Sequence, residues 1–283
     1  MAERYDVLIV GGGGAGVAAA KALWTAGCRS AALVEEKPCL GGILRQCVHP
    51  GFGPGLDGRA YADGLLQDFP PEFPCYLGAT VTALWPDRTA VLFDGREIGF
   101  RVLILATGCR EIPLGALPVA GTRPRGVFTA GQMQEMINCR GFVPQGPAVI
   151  LGSGDIGLVM AWQLLRLGLA VTLVEQADRM TGLLQNQERL AGLPLRFVPN
   201  ATVREIQGFP DLTDVVLSDG QTVPCRTLLS AVGLRPEREL LPAAVPDWAV
   251  LAGNCSRIHP RIESVLLEGE QAAAQALMKL RKI

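Results

Sequence analysis

The sequence predicts an α/β fold of two Rossmann-like three-layer domains, each a central parallel sheet with a small β meander, and three observations carry that prediction. The glycine pattern Gly11-x-Gly13-x-x-Gly16 recurs as Gly152-x-Gly154-x-x-Gly157. Each copy follows an apolar strand, residues 6–10 and 148–151, and precedes an apolar helix. An acid closes the next strand in both copies, Glu35 standing 19 residues after Gly16 and Glu175 18 residues after Gly157. A lone fingerprint is a weak signal, whereas a matched pair in strand, turn and helix context is specific.

In order along the chain, residues 5–42 read as strand, helix (15–26) and strand (31–35). Residues 51–64, with Pro54 and several glycines, read as a loop before a short helix over 61–67. Strands over 80–84, 90–93 and 97–100 form a meander with a turn at Asp94-Gly95. A buried strand over 102–106 ends in Thr107-Gly108, at a strand's carboxyl end, where open α/β sheets bind ligands. A proline-rich crossing over 118–124 leads to a helix near 132–139. The second unit then repeats the first, with a helix over 156–167, a strand over 171–174 and a short helix near Gln187. Strands over 195–198, 203–206 and 214–217, a turn at Asp219-Gly220 and a strand over 228–232 ending at Gly233 complete it. Residues 235–251 are irregular, with Pro236, Pro242 and Pro246, apart from a short strand over 248–251. The last helix, 262–280, finds its most economical home on the first sheet. The first domain is therefore expected to be discontinuous, 1–115 with 247–283, around a second domain over 116–246.

The glycines define what each unit binds. The first permits the tight turn, the second lets backbone approach a diphosphate, and the third lets helix pack closely on strand. Orphan amides and the helix dipole favour an anion there. A carboxylate closing the second strand accepts hydrogen bonds from a ribose diol and repels a 2'-phosphate. Glu35 and Glu175 could be ordinary surface acids, but their matched positions favour ribose binding. No arginine directly follows Glu175, and Arg179 reads as a surface charge.

Composition narrows the partners. With 26 basic and 27 acidic residues there is no electrostatic footprint for nucleic acid or an anionic membrane. The apolar stretch 7–20 is too short and glycine-rich for a membrane span. With a first strand beginning by Tyr5, a cleaved signal peptide is not expected. Eight cysteines, without a CxxC pair or metal-type spacing, read as isolated reduced thiols, which fits the cytoplasm and no metal site.

On these residues the chain resembles the two-dinucleotide-binding-domain flavoproteins, the group of thioredoxin reductase and the pyridine nucleotide-disulfide oxidoreductases. The motifs are the two fingerprints, Ala106-Thr107-Gly108, Ala231-Val232-Gly233 with Pro236, and Gly253-Asn254 before the final helix. A closer resemblance is to FAD-dependent subunits that accompany a second flavoprotein in bacterial glycerol-3-phosphate, proline, opine and cyanide-forming dehydrogenase systems. It rests on the run from Gly41 to His49, Gly51-Phe52-Gly53, the run from Ala106 to Glu111, Gly152 to Gly157, and the tail from Gly253 through His259 to Glu270.

The resemblance implies FAD at the first fingerprint and NAD(P)(H) at the second, where Glu175 favours NAD(H) over NADP(H). Around FAD it places Gly11, Gly13, Gly14, Ala15, Gly16, Glu35, Gly42, Gln46, Val81 (backbone to adenine), Ala106, Thr107, Gly108, Gly253 and Asn254. Around NAD(H) it places Gly152, Gly154, Asp155, Ile156, Gly157, Glu175 and Gly233. It also aims the final helix at the pyrimidine end of the flavin. In the disulfide reductases two cysteines at CxxxxC spacing follow the double glycine, but here those places hold Leu44 and His49. A dithiol relay is therefore not expected. His49 is a candidate catalytic donor beside the flavin, or a loop-shaping residue. Cys47 and Cys109 read as small buried thiols, and His259 as a capping or packing residue. The passage 235–253 is shorter than in the resembled proteins.

The function expected is hydride transfer between NAD(H) and bound FAD, with electrons exchanged with a partner flavoprotein or small acceptor. A stand-alone NADH diaphorase or oxidase and a non-catalytic regulatory subunit are the alternatives.

Overall fold

The computed structural model describes residues 3–282. They form two compact units, 1–110 with 235–283 and 111–234. The first crossing lies five residues before the expected boundary. The return lies earlier too: residues 235–246, expected in the second domain, belong to the first, because Leu240 and Leu241 pack into its core.

The first unit is built on a parallel sheet ordered Cys75–Leu77, Ala31–Glu35, Glu3–Val10 and Glu97–Leu105, with Ala249–Leu251 also pairing parallel to the last. Thr89–Leu92 and Val81–Trp85 extend it antiparallel. Residues 97–100 and 102–106, expected as two strands, are one. Arg101 does not interrupt them, because the parallel register on Glu3–Val10 runs from Ile98 to Leu105 without a turn.

Side-chain alternation along Glu3–Val10 makes the layers. Val7 and Ile9 face the helix side, packed with Val17, Leu23 and the final helix's Ala272, Ala273 and Ala276. Leu8 and Val10 face the opposite side with Ala90, Leu92 and Phe100. The helices Gly14–Thr25 and Ile262–Leu280 lie together, at a spacing only glycine allows: a Cβ on Gly269 would sit 2.2 Å from the carbonyl oxygen of Ala15.

The stretch read as a loop over 51–64 contains a small hairpin, Pro50–Phe52 with Leu56–Asp57, and its helix starts early, at Gly58–Gln67. Asp57 explains the early start, since its side chain accepts from the Ala60 amide as an N-cap.

The second unit carries a five-stranded parallel sheet, ordered Val127–Thr129, Thr227–Ser230, Ala148–Leu151, Val171–Val174 and Leu195–Val198. Ala148 and Ile150 face the helix Asp155–Arg166. Val149 and Leu151 face a second sheet of Ala120–Gly121, Val203–Gln207, Asp214–Leu217 and Thr222–Pro224. The helix Ala130–Arg140 starts two residues before the expected 132, because Thr129 and Gln132 form a reciprocal capping box. Among the described residues no helix is long and apolar enough to cross a membrane, and no cluster of metal-binding side chains occurs.

Two glycine turns built alike

Each fingerprint folds into the same turn. Gly11 has φ +106° and Gly152 φ +101°, values that disfavour any residue with a Cβ. Side chains there would also collide with the strand beyond: a Cβ would lie 2.4 Å from the Ala106 oxygen in the first turn and 2.5 Å from the Ala231 oxygen in the second. The third glycines close the turn, a Cβ on Gly16 or Gly157 falling within 1.9 or 2.1 Å of the Gly11 or Gly152 oxygen. Gly13 and Gly154 differ, meeting nothing nearer than 4.0 Å and nothing within 4 Å respectively. They cap the helices Gly14–Thr25 and Asp155–Arg166 and leave the approach to the helix end open. That is the geometry a diphosphate needs.

Both acids turn back onto the glycines. Glu35, 5% exposed, accepts from the Gly12 amide at 2.5 Å and from Lys37 at 2.7 Å. Glu175, 8% exposed, accepts from the Ser153 amide at 2.8 Å, the Ser153 hydroxyl at 2.6 Å and the Ala177 amide at 3.0 Å. Burial works to raise the Glu175 pKa, but the hydrogen bonds from Ser153 and from the amides of Ala177 and Gln176 outweigh it and hold the carboxyl below its ordinary value. Neither acid is a surface charge.

A covering loop also recurs. Gly41 donates its amide to the Gly12 oxygen at 2.8 Å, and Gly182 donates to the Ser153 oxygen at 2.8 Å. The partners are 29 residues apart in both cases. In the first unit the loop brings Gly42, φ +53°, face to face with Gly13, where a Cβ would be 2.8 Å from the Gly13 Cα. In the second unit the loop is tied down by Asp155, whose Oδ1 accepts from the Leu183 amide and the Asn186 side chain, both at 2.8 Å. Ile156 follows it in the first turn of the same helix.

The other first-unit residues gather at the same turn. Gly253, φ +68°, lies against Ala15, a Cβ there falling 2.7 Å from that of Ala15. Gly14 lies against Ile262 and Leu266, so the first turns of two helices meet beside Gly253-Asn254. Thr107 and Gly108 are clamped by Glu237: the Thr107 hydroxyl donates to its carbonyl at 2.6 Å, and its amide donates to the Gly108 oxygen at 3.0 Å. Arg110 pairs with the Glu237 carboxylate at 2.5 Å, and this hydrogen bond raises the guanidinium pKa. Val81 opens its strand two residues after Ala79, whose amide donates to the Glu35 carbonyl. Gln46 ends the 3-10 turn Gly42–Gln46.

His49 sits at the hairpin, half-buried, with Nδ1 3.1 Å from the Pro50 carbonyl and its ring on Phe52 at 5.3 Å. In the second unit Gly233 has φ +146°, and its carbonyl accepts from the Ile112 amide at 3.0 Å. Glu111 accepts from the Gly131 amide with both oxygens, at 2.8 and 2.9 Å, in the first turn of the helix Ala130–Arg140.

Sequence reasoning did not single out Ser153, Gly182 or Glu237, nor Thr181, whose amide donates to the Ser153 hydroxyl oxygen at 3.0 Å. Ser153 carried a signal, a hydroxyl between the first two fingerprint glycines, while Glu237 lies 129 residues from the Gly108 it holds and carried none.

Residues 5–248 match the family described as pyridine nucleotide-disulphide oxidoreductase. The chain belongs to that family. Its members work with FAD and a pyridine nucleotide, and this chain is an oxidoreductase of that family. It is 29% identical to putidaredoxin reductase CamA of Pseudomonas putida, over all of this chain and 76% of that one. It is 34% identical to the hydrogen cyanide synthase subunit HcnB of Pseudomonas protegens, over 60% of this chain but only 38% of that one. The fold matches thioredoxin reductase of Lactococcus lactis in its FR conformation with TM-score 0.81 at 20% identity, over 99% of this chain and 100% of the other.

Proposed function

We propose that the chain exchanges hydride between NAD(H) and a bound FAD and passes electrons to a partner flavoprotein or small acceptor without a redox-active disulfide. The observation that carries this reading is the pair of glycine turns, each with an open second glycine and an acid folded back onto it. When bound, the two cofactors supply the hydride chemistry themselves.

The chain's residues bind and orient. At the first turn, the amides opening Gly14–Thr25 receive the FAD diphosphate, Gly42 lets the covering loop come close, and Glu35 accepts from the adenosine ribose. Asn254 offers a side-chain amide where two helix ends meet. The positive end of the final helix favours negative charge at the flavin's pyrimidine edge. At the second turn Gly154 and Glu175 do the same for NAD(H), and Glu175 disfavours a 2'-phosphate. Leu44 and His49 standing where the disulfide reductases carry cysteines supports an electron exit other than a dithiol. The likeness to HcnB, a subunit of hydrogen cyanide synthase, supports a partner.

Anaerobic titration of the FAD-loaded protein with NADH and then NADPH tests the reading. Bleaching of the flavin band by NADH in preference to NADPH is expected. A protein that takes up no FAD, or that prefers NADPH, refutes it. Co-purification with a second flavoprotein distinguishes a subunit from a free-standing diaphorase.

A further inference from the structure

His259 and Glu268 form a buried pair that the proposed hydride chemistry does not use. The His259 Nε2 lies 2.6 Å from a Glu268 carboxylate oxygen, and the two side chains are 6% and 18% exposed. His259 does not cap the final helix, whose N-cap is Arg261. Its main-chain amide instead donates to the Asn254 Oδ1 at 2.9 Å. The Asn254 amide is thereby oriented from both ends, its Nδ2 donating one of its two hydrogens to the Cys109 Sγ at 3.7 Å.

Glu268 is itself held in place. It precedes Gly269, the residue at which the final helix closes on Ala15 in the first glycine turn's helix. The close helix contact at Gly269 thus adjoins the Glu268 carboxylate, which bonds the His259 ring, and the His259 main chain closes the turn 254–259 on the Asn254 side chain. A polar pair largely withdrawn from solvent is costly to break, because removal of one partner leaves the other, His259 above all, without its hydrogen bond.

We infer that His259 is a positioning residue of the flavin site: latched to Glu268, it fixes the 253–259 turn, and so the Asn254 amide, beside the converging helix ends. This inference rests on the proposed FAD site for its functional consequence. The latch itself rests on geometry alone. Neither side chain is expected to touch the reacting atoms.

The test uses the full chain with His259→Ala, Glu268→Ala, the double variant and Glu268→Gln, whose amide still offers an oxygen to the imidazole. FAD affinity is read by fluorescence titration of apoprotein, and the flavin midpoint potential by equilibration with a reference dye. Hydrogen exchange of the apoprotein reports the turn directly. Each alanine variant should weaken FAD binding by about tenfold, the equivalent of one such hydrogen bond, and should shift the potential. The double variant should lose no more than either single one, because the two act as a unit. Glu268→Gln should recover most of the affinity and potential. Exchange should quicken over 253–261 and not over 111–234.

Alanine variants with wild-type affinity, potential and exchange overturn the inference, as does exchange that rises evenly along the chain. Should the wild-type protein take up no FAD, the proposed function fails and exchange alone judges the latch. Selective quickening over 253–261 would then support it, and none would overturn it.

Discussion

Gly269→Ala is expected to destabilise the first unit even though alanine is the better helix former. In an exposed helix interior that exchange gains about 1 kcal/mol. At Gly269 the new methyl would lie 2.2 Å from the Ala15 oxygen and 3.0 Å from its Cα. Relief requires the helices to part by roughly 1 Å, enough to forfeit a quarter to a half of each dispersion contact across the seam. The seam includes Ala272, Ala273 and Ala276, all at 1% exposure or less. Overpacking of this kind costs about 1–3 kcal/mol and, against backbone rather than a flexible side chain, sits at the upper end of that range. After the propensity gain, a net loss of about 1–2 kcal/mol remains, lowering the melting temperature by roughly 2–8 °C for a chain of this size. Gly64 provides the control, being exposed within the helix Gly58–Gln67 with nothing within 4 Å of its would-be Cβ. Gly64→Ala should raise stability by about 0.5–1 kcal/mol. Urea and thermal unfolding of the two variants measure both. A Gly269→Ala protein as stable as Gly64→Ala would refute the close-packed seam.

Three further outcomes are expected. Alkylation at about pH 8 should modify the exposed Cys39 and Cys139 first. It should spare Cys75, Cys225 and Cys255 until the protein unfolds, because burial pushes their thiols up, to about 11 for Cys75 and about 12 for Cys225; mass spectrometry of labelled peptides checks the order. The depressed Glu175 carboxyl stabilises the fold above its unfolded pKa and loses that contribution as pH falls through the folded value, so Glu175→Gln should flatten the acid limb below about pH 4 in far-ultraviolet circular dichroism. Thr129→Ala removes one half of the capping box and should cost about 0.5–2 kcal/mol in urea unfolding, with Thr129→Ser retaining most of the stability.

The parts of the fold legible in the sequence are those set by local chemistry. The final helix reads the same in both, Ile262–Leu280, because its apolar period is long and uninterrupted. Gly11 and Gly152 announce strained turns because few residues tolerate their φ. The parts that were not legible depend on distant partners. The hairpin Pro50–Phe52 with Leu56–Asp57 is short and glycine-rich, and its pairing leaves no period to read. The continuity of Glu97–Leu105 through Arg101 follows from its parallel register on Glu3–Val10, which runs from Ile98 to Leu105 on both sides of that residue. At the candidate site, Glu35 and Glu175 were visible from spacing. Their bonds back to the Gly12 and Ser153 amides were not, since backbone amides carry no sequence signal; only the Ser153 hydroxyl did. The same holds for Glu237, which acts on Thr107 partly through its own main chain.

The first unit is sewn from both sides of the second, and this sets an order of assembly. Residues 111–234 are contiguous, so every strand of their sheet is available once residue 230 has been made. The apolar face of Gly14–Thr25, synthesised near the start, must wait for Ala272, Ala273 and Ala276, encoded some 250 residues later. The unit begun before residues 111–234 is therefore completed after them. Until the final helix arrives, the alanine and leucine face of Gly14–Thr25 has no cover from Ala272, Ala273 and Ala276, and transiently exposed apolar surface of this kind favours aggregation.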